Sequence, residues 1–323
     1  MDGIRHSNQS LNGINVHVAE SGPTDGAVIL FLHGFPELWY SWRRQMAAVA
    51  SLGYRAVAPD LRGYGDTDAP EDPGSYTVLH VVGDLVALIE AVAPSQGAVF
   101  VVGHGWGAAM AWHLCLMRPD KVKAAVNLSV PFGHRSSNRR PMPSLKAYYG
   151  EDYYSCRFQE PGVMEAEFAE LGTEEVLKGF FTLHSPAPLF LPKGRVLFGS
   201  SPGTPIPLPP WLSEADLRYF ADKYEKTGFT GGLNYYRNVD RNWELTAPWQ
   251  GDQVKVPVKF IVGDHDMAYH AGNARVYIHN GGFEKDVPFL QEVVVMEGVG
   301  HFLQEEKADE ISGQIIDFIR KFR

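Results

Sequence analysis

The chain has 323 residues, 45% hydrophobic and 21% charged, enough for one large core or for a core carrying an inserted unit. Its net charge of −9 disfavours nucleic acid and anionic membrane surfaces as partners and leaves a small apolar molecule as the expected ligand. No stretch approaches the roughly 18 apolar residues of a membrane span, and the N-terminal MDGIRHSNQS lacks the apolar centre of a signal peptide, so a cytoplasmic protein is expected.

In chain order, Asn12-Gly13 between two alternating segments predicts an opening hairpin. Short apolar runs at 28–32, 55–58, 98–102, 124–128, 258–262 and 293–295 predict strands, and the segments 79–91 and 108–117 between them have the length of helices. That alternation predicts an α/β fold with a mostly parallel central sheet flanked by helices. From about Phe132 to Trp249 the strand signal stops, and the chain becomes aromatic and proline-rich, with helical segments at 165–171 and 213–224 and a loop at 200–205. Residues 133–249 therefore read as a helical cap inserted between two parts of the core, 1–132 and 250–323. The two cysteines, Cys115 and Cys156, are too few for a disulfide framework and read as buried thiols.

Ligands of open parallel sheets bind at the carboxyl ends of the strands, and several apolar runs end there in reactive residues. After 98–102 comes Gly103-His104-Gly105-Trp106-Gly107, a tight turn of the form G-x-X-x-G, whose middle residue ordinarily presents a nucleophile from strained backbone. Gly105 meets that backbone requirement easily, but it cannot attack carbon or carry a covalent intermediate. After 258–262 comes Gly263-Asp264-His265-Asp266, where Asp264 reads as a turn-forming carboxylate. Late in the chain, Gly300-His301-Phe302 presents a histidine suited to act as base. His33-Gly34-Phe35-Pro36 follows the first buried run, and the backbone N–H groups of Phe35 and Trp106 are candidates for an oxyanion hole. His33, Pro36, Trp39, His104, Leu183 and His265 are candidate pocket residues, although His104 also reads as structural. No metal, nucleotide or flavin motif is present, so no cofactor is expected.

These segments, together with Ala58-Pro59-Asp60-Leu61-Arg62-Gly63-Tyr64-Gly65-Asp66, resemble the plant-type soluble epoxide hydrolases of the α/β-hydrolase superfamily over nearly the whole chain. In that family an elbow aspartate opens the epoxide to an ester, which a histidine-activated water hydrolyses. The resemblance implies that Asp266 orients His301 and that two cap tyrosines hydrogen-bond the epoxide oxygen. The matching residues are Tyr154 in the segment 152–158 and Tyr235 in 231–237; Tyr153 and Tyr236 stand one residue away. The departure is Gly105, where the family's elbow reads G-H-D-W-G. His265 is a second, milder one, standing where an apolar residue fits the pattern.

Three functions are compatible with this pattern. In the first, Tyr154, Tyr235, His301 and Asp266 open an epoxide without a covalent step, through water or through a nucleophile within the substrate, as a cyclase or isomerase. In the second, the chain is a nucleophile knock-out of an ordinary epoxide hydrolase that binds with negligible turnover. In the third, it is a non-catalytic receptor or carrier of a small ligand. A monomer or weak homodimer is expected.

Overall fold

The computed structural model describes residues 3–194, 198 and 206–322. Asn12 and Gly13 take positive φ of 48° and 82°, which suits a two-residue hairpin turn, and they join β1 (Arg5–Leu11) antiparallel to β2 (Ile14–Ser21). All five residues of β3 (Val28–Leu32) are buried, as expected of a strand covered on both faces. With β4 (Arg55–Pro59), β5 (Val99–His104), β6 (Val122–Leu128), β7 (Val258–Gly263) and β8 (Leu290–Met296) they form one eight-stranded sheet of order β1-β2-β4-β3-β5-β6-β7-β8. Pairing is parallel from β4 to β8 and antiparallel on the β1–β2–β4 side. Every apolar run predicted as a strand lies in this sheet, and the fold is that of an α/β hydrolase.

Helices α1 (Arg43–Ala50), α2 (Val78–Val92) and α3 (Trp106–Met117) connect the first strands. Between β6 and β7 come α4 (Pro141–Tyr149), α5 (Tyr154–Arg157), α6 (Val163–Leu171), α7 (Thr173–Phe181), α8 (Glu214–Thr227), α9 (Thr230–Arg237) and α10 (Val239–Leu245). Among the described residues this segment forms no strand beyond one isolated bridge, Tyr153 to Phe190. The predicted loop at 200–205 lies outside the described residues. After β7 come α11 (Met267–His270), α12 (Ala274–His279) and α13 (Gly282–Asp286), and after β8 come α14 (Leu303–Glu306) and α15 (Ala308–Ile319), which packs on α1. No described helix is long and apolar enough to cross a membrane. Cys115 is buried as expected, whereas Cys156 is only half-buried; both are free.

The helical segment sits over the strand ends and is anchored there. The Phe35 ring, on the loop after β3, meets Phe158, Phe180, Phe229 and Tyr236 edge-on. A buried guanidinium supplies the polar anchor. Arg43 Nη2 donates to Asp216 Oδ1 of α8 at 3.0 Å, and Nη1 donates to Glu305 Oε1 of α14 at 2.5 Å.

Beneath the strand ends, Glu37 and His104 form a fully buried pair. Glu37 Oε2 accepts from His104 Nδ1 at 2.6 Å and from the Gly34 N–H at 3.0 Å, and Oε1 accepts from Gln304 Nε2 at 2.5 Å. His104 Nε2 donates to the His301 carbonyl at 2.8 Å. Both imidazole nitrogens thus face acceptors, which requires the imidazolium. Burial opposes charge on each partner, but mutual attraction and these hydrogen bonds win. They raise the His104 pKa and hold the Glu37 carboxyl down at about 2.

Breaking a buried pair strands the remaining charge. Glu37→Gln is expected to lower the unfolding free energy by about 3–5 kcal/mol in urea titrations. The Glu37 carboxyl has a folded pKa of about 2 against an ordinary 4.5, so its contribution is complete above 4.5 and is lost as pH falls toward 2. Stability should therefore decline less steeply across that acid range in Glu37→Gln than in the native protein.

Candidate active site

The turn between β5 and α3 is where the reactive geometry is set. Gly105 adopts φ 56° and ψ −121°, a sparsely populated conformation that costs a residue with a Cβ on the order of 1–3 kcal/mol. Gly107 is needed for close approach, since a Cβ there would lie 2.0 Å from the Leu32 carbonyl oxygen. At Gly105 itself there is room for a Cβ. An ideal Cβ on it would meet only Gly34 Cα at 3.4 Å and His301 Nε2 at 3.8 Å, both ordinary contacts.

His301 follows β8, and Asp266 follows β7 as the cap of α11. Asp266 Oδ1 accepts from His301 Nδ1 at 2.9 Å and from the Ala268 N–H at 2.8 Å. Asp266 is wholly buried, and burial alone would raise its pKa. The charge and hydrogen bond of His301, a hydrogen bond from Ser129 and the Ala268 N–H together hold the carboxyl below its ordinary value. Ser129 Oγ also lies 3.0 Å from His301 Nδ1. This residue sits just past β6 at φ 73° and went unremarked in the sequence, although the strand-end rule applied to β6 points to it. With Nδ1 engaged by Asp266 and Ser129, Nε2 is the nitrogen left to face the reactants.

An apolar cavity of about 200 Å³ opens at this point, lined by Gly105, His301, Trp106, Phe35, Tyr154 and Tyr236 among others. It exceeds the ~150 Å³ of an apolar hole that holds benzene, so it accommodates a ring-sized group. Tyr154 and Tyr236 face each other with ring centroids 5.8 Å apart, and Tyr236 packs edge-on against Trp106 at 5.1 Å. Burial raises both phenol pKa values, so each carries its proton at neutral pH and can donate it. Trp106 is the first residue of α3, so its N–H has no partner within the helix.

The predicted tyrosine pair needs correction at one member. Tyr235 does not line the cavity; it is fully buried, and its hydroxyl donates to the Arg62 carbonyl at 3.0 Å. Successive residues on α9 point about 100° apart, and Tyr236 is the one turned inward. At the other position Tyr154 lines the cavity, while Tyr153 stacks on Tyr149 at 4.3 Å.

Of the candidate pocket residues, Leu183 lines the cavity and the rest do not. His33 is buried beneath it, donating from Nδ1 to the Gly34 carbonyl and accepting the Leu61 N–H at Nε2. Burial lowers its pKa, which fits this neutral form. Trp39 packs against His6 and donates its indole N–H to the Tyr219 hydroxyl, and Pro36 lies outside the lining. His104 belongs to the buried pair with Glu37. His265 is half-buried beside His184, with their Nδ1 atoms 3.3 Å apart. Asp264 Oδ1 accepts the Gly298 N–H at 2.7 Å, so this carboxylate ties its loop to the one after β8 and does not cap its own turn. Met267, Phe180 and Phe302 are lining residues that the sequence left indistinguishable from core.

Comparison with known proteins places this arrangement. The model of the α/β hydrolase fold family matches residues 27–308. Epoxide hydrolase 1 of Siraitia grosvenorii is 56% identical over the full length of both chains. The structure of potato (Solanum tuberosum) epoxide hydrolase I superposes with a TM-score of 0.94 at 58% identity, covering 99% of this chain and 100% of the potato chain. An epoxide hydrolase from Vigna radiata gives 0.93 at 55% identity, covering 99% of both chains. With its sheet, elbow turn and relatives agreeing along the whole length, the chain belongs to the plant-type epoxide hydrolases of the α/β-hydrolase superfamily.

Proposed function

We propose that this protein opens an epoxide without forming an ester, using a nucleophile carried by the substrate itself. In this reading Gly105 stands at the nucleophile's position. Tyr154 and Tyr236 hydrogen-bond the epoxide oxygen as it becomes an alkoxide. His301, oriented by Asp266, takes the proton from a hydroxyl or amine within the substrate as it attacks the epoxide carbon. The alkoxide receives a proton through the tyrosines, so the product is a cyclic isomer with no atoms gained or lost. The N–H groups of Phe35 and Trp106 remain as further donors beside the reacting centre. An internal nucleophile has an effective concentration high enough to offset much of the lost covalent step.

The observation that carries this reading is the apolar cavity that Gly105 and His301 line together. The base there faces the cavity directly, with two protonated phenols among the other cavity walls. A substrate small or apolar at its reacting end suits the cavity lining. Direct attack by water uses the same residues and gives a diol. The knock-out reading shares the binding geometry but has no turnover.

His301→Ala should reduce turnover by about 10²–10⁴-fold, the usual worth of a positioned base, with folding intact by circular dichroism. Tyr154→Phe and Tyr236→Phe should each slow ring opening about 10²–10³-fold, as removal of one preorganised donor does. Tyr235→Phe should instead leave the rate nearly unchanged and destabilise by about 1–3 kcal/mol, since it orphans the Arg62 carbonyl. Equal rates for Tyr236→Phe and the native protein would remove Tyr236 from the mechanism. Mass spectrometry of products formed in H₂¹⁸O from epoxides bearing a hydroxyl or amine tests the nucleophile. An unlabelled ring is expected, and a labelled diol would assign water instead. Silence from the native protein alongside diol from Gly105→Asp would identify the knock-out.

A further inference from the structure

We propose that the space beside Gly105 is a binding site for a small monocarboxylate, formate above all, and that bound formate acts as a diffusible nucleophile in epoxide opening. The inference rests on the reading that Tyr154 and Tyr236 activate an epoxide oxygen, and it concerns epoxides that carry no internal nucleophile, for which an ester does form. It adds a ligand that nothing in the covalent chain supplies.

Size comes first. A Cβ at Gly105 would fit without a clash, 3.8 Å from His301 Nε2, and both residues line the cavity. A free acid cannot simply reoccupy the place of an aspartate side chain. A covalent Cα–Cβ bond is about 1.5 Å, whereas an unbonded methyl keeps roughly 3.5–4.0 Å from its neighbours. The methyl of acetate would therefore be pushed away from Gly105, carrying its carboxylate out of place. Formate has only a hydrogen on that side. Its carboxylate can lie against the turn, so affinity and rate should fall from formate to acetate to propionate.

Charge comes next. The cavity wall is apolar, and an anion entering it needs compensation. Two lining residues bring donors: His301, whose Nδ1 is already engaged, and Trp106, whose N–H opens α3. When Nε2 carries a proton, formate and proton enter together as a neutral pair, which avoids an isolated buried charge. The tyrosines occupy the same cavity and remain free to hold the epoxide oxygen.

The chemistry then closes on itself. A formate oxygen attacks an epoxide carbon, the carbon–oxygen bond breaks, and its electron pair stays on the epoxide oxygen. That oxygen takes, through the tyrosines, the proton that entered on His301 Nε2, giving a hydroxy formate ester and leaving His301 neutral. Water deprotonated by His301 attacks the formyl carbon, the ester bond breaks, and diol and formate leave. The sum is epoxide plus water to diol, with formate regenerated. The diol carries an oxygen that came from formate, and the solvent oxygen ends in the released formate. Direct water attack puts the solvent oxygen in the diol instead.

The test uses the full chain, styrene oxide and ¹⁸O-labelled formate in unlabelled water at matched ionic strength, with acetate and propionate beside it. Saturable acceleration of diol formation, ¹⁸O in the diol and the order formate over acetate over propionate are expected. Gly105→Ala places a methyl in the site and should lower the formate-dependent rate at least tenfold. The carboxylate series is read on the native protein, so a poorly folding Ala variant does not remove the test. Gly105→Asp serves as control for the underlying reading. Diol from that variant, with no formate dependence or label transfer in the native protein, overturns the formate site and leaves epoxide activation standing. Silence from both, with every acid present, overturns epoxide activation and the formate proposal with it.

Discussion

A buried carboxylate–imidazolium pair is the constraint on which the site depends. Glu37 belongs to the loop after β3, His104 to the last position of β5, and Gln304 and the His301 carbonyl to the segment after β8. These segments are remote in sequence, and each ends a different strand. Through the Gly34 N–H, the two oxygens of Glu37 and both nitrogens of His104, they are tied at the level of the backbone. The relative placement of Gly34, Gly105 and His301 follows from that tie. Small shifts in such contacts matter because reacting groups must meet within fractions of an ångström. Charge buried this deeply is tolerable because both Glu37 oxygens and both His104 nitrogens are hydrogen-bonded, and those bonds in turn fix the geometry.

The fold was legible in the sequence because hydrophobic period and strand-end chemistry are local signals. The runs 28–32, 98–102 and 258–262 are too short and too apolar for surface helices, and the glycines after them announce turns. Asp266 and His301 were legible for the same reason, each at the end of a strand. What the sequence did not resolve was orientation. Tyr235 and Tyr236 are chemically identical neighbours, and the α9 helix turns one toward Arg62 and the other toward Trp106. That choice belongs to how α9 settles on the core, which no local pattern states. His33 and Trp39 misled in the opposite sense, lying close in sequence to Phe35 yet serving the interior beneath it.

Ser129 marks a different limit. Its hydroxyl competes with Asp266 for the same histidine nitrogen, and its positive φ places the side chain there. A serine after an apolar run carries little information by itself, because the residue is common in every loop. Its meaning emerges only when β6 is seen beside β7 in the sheet, bringing Ser129 next to Asp266. The anchoring of the helical segment through Arg43 is likewise a three-body fact, since Asp216 and Glu305 lie far apart in the chain.

The glycine at the elbow also bears on how freely this protein can change. Any other residue at φ 56° and ψ −121° would hold the chain in a conformation that opposes folding by on the order of 1–3 kcal/mol. Gly105 carries no such load. Domains are stable by only a few kcal/mol, and most substitutions lower that margin by about one. A relaxed elbow therefore widens the set of cavity-wall substitutions the fold survives. Walls such as Leu183, Met267 and Phe302 can be exchanged one after another with the sheet still formed. In that sense a glycine at this turn enlarges the range of ligand shapes the same scaffold can come to fit.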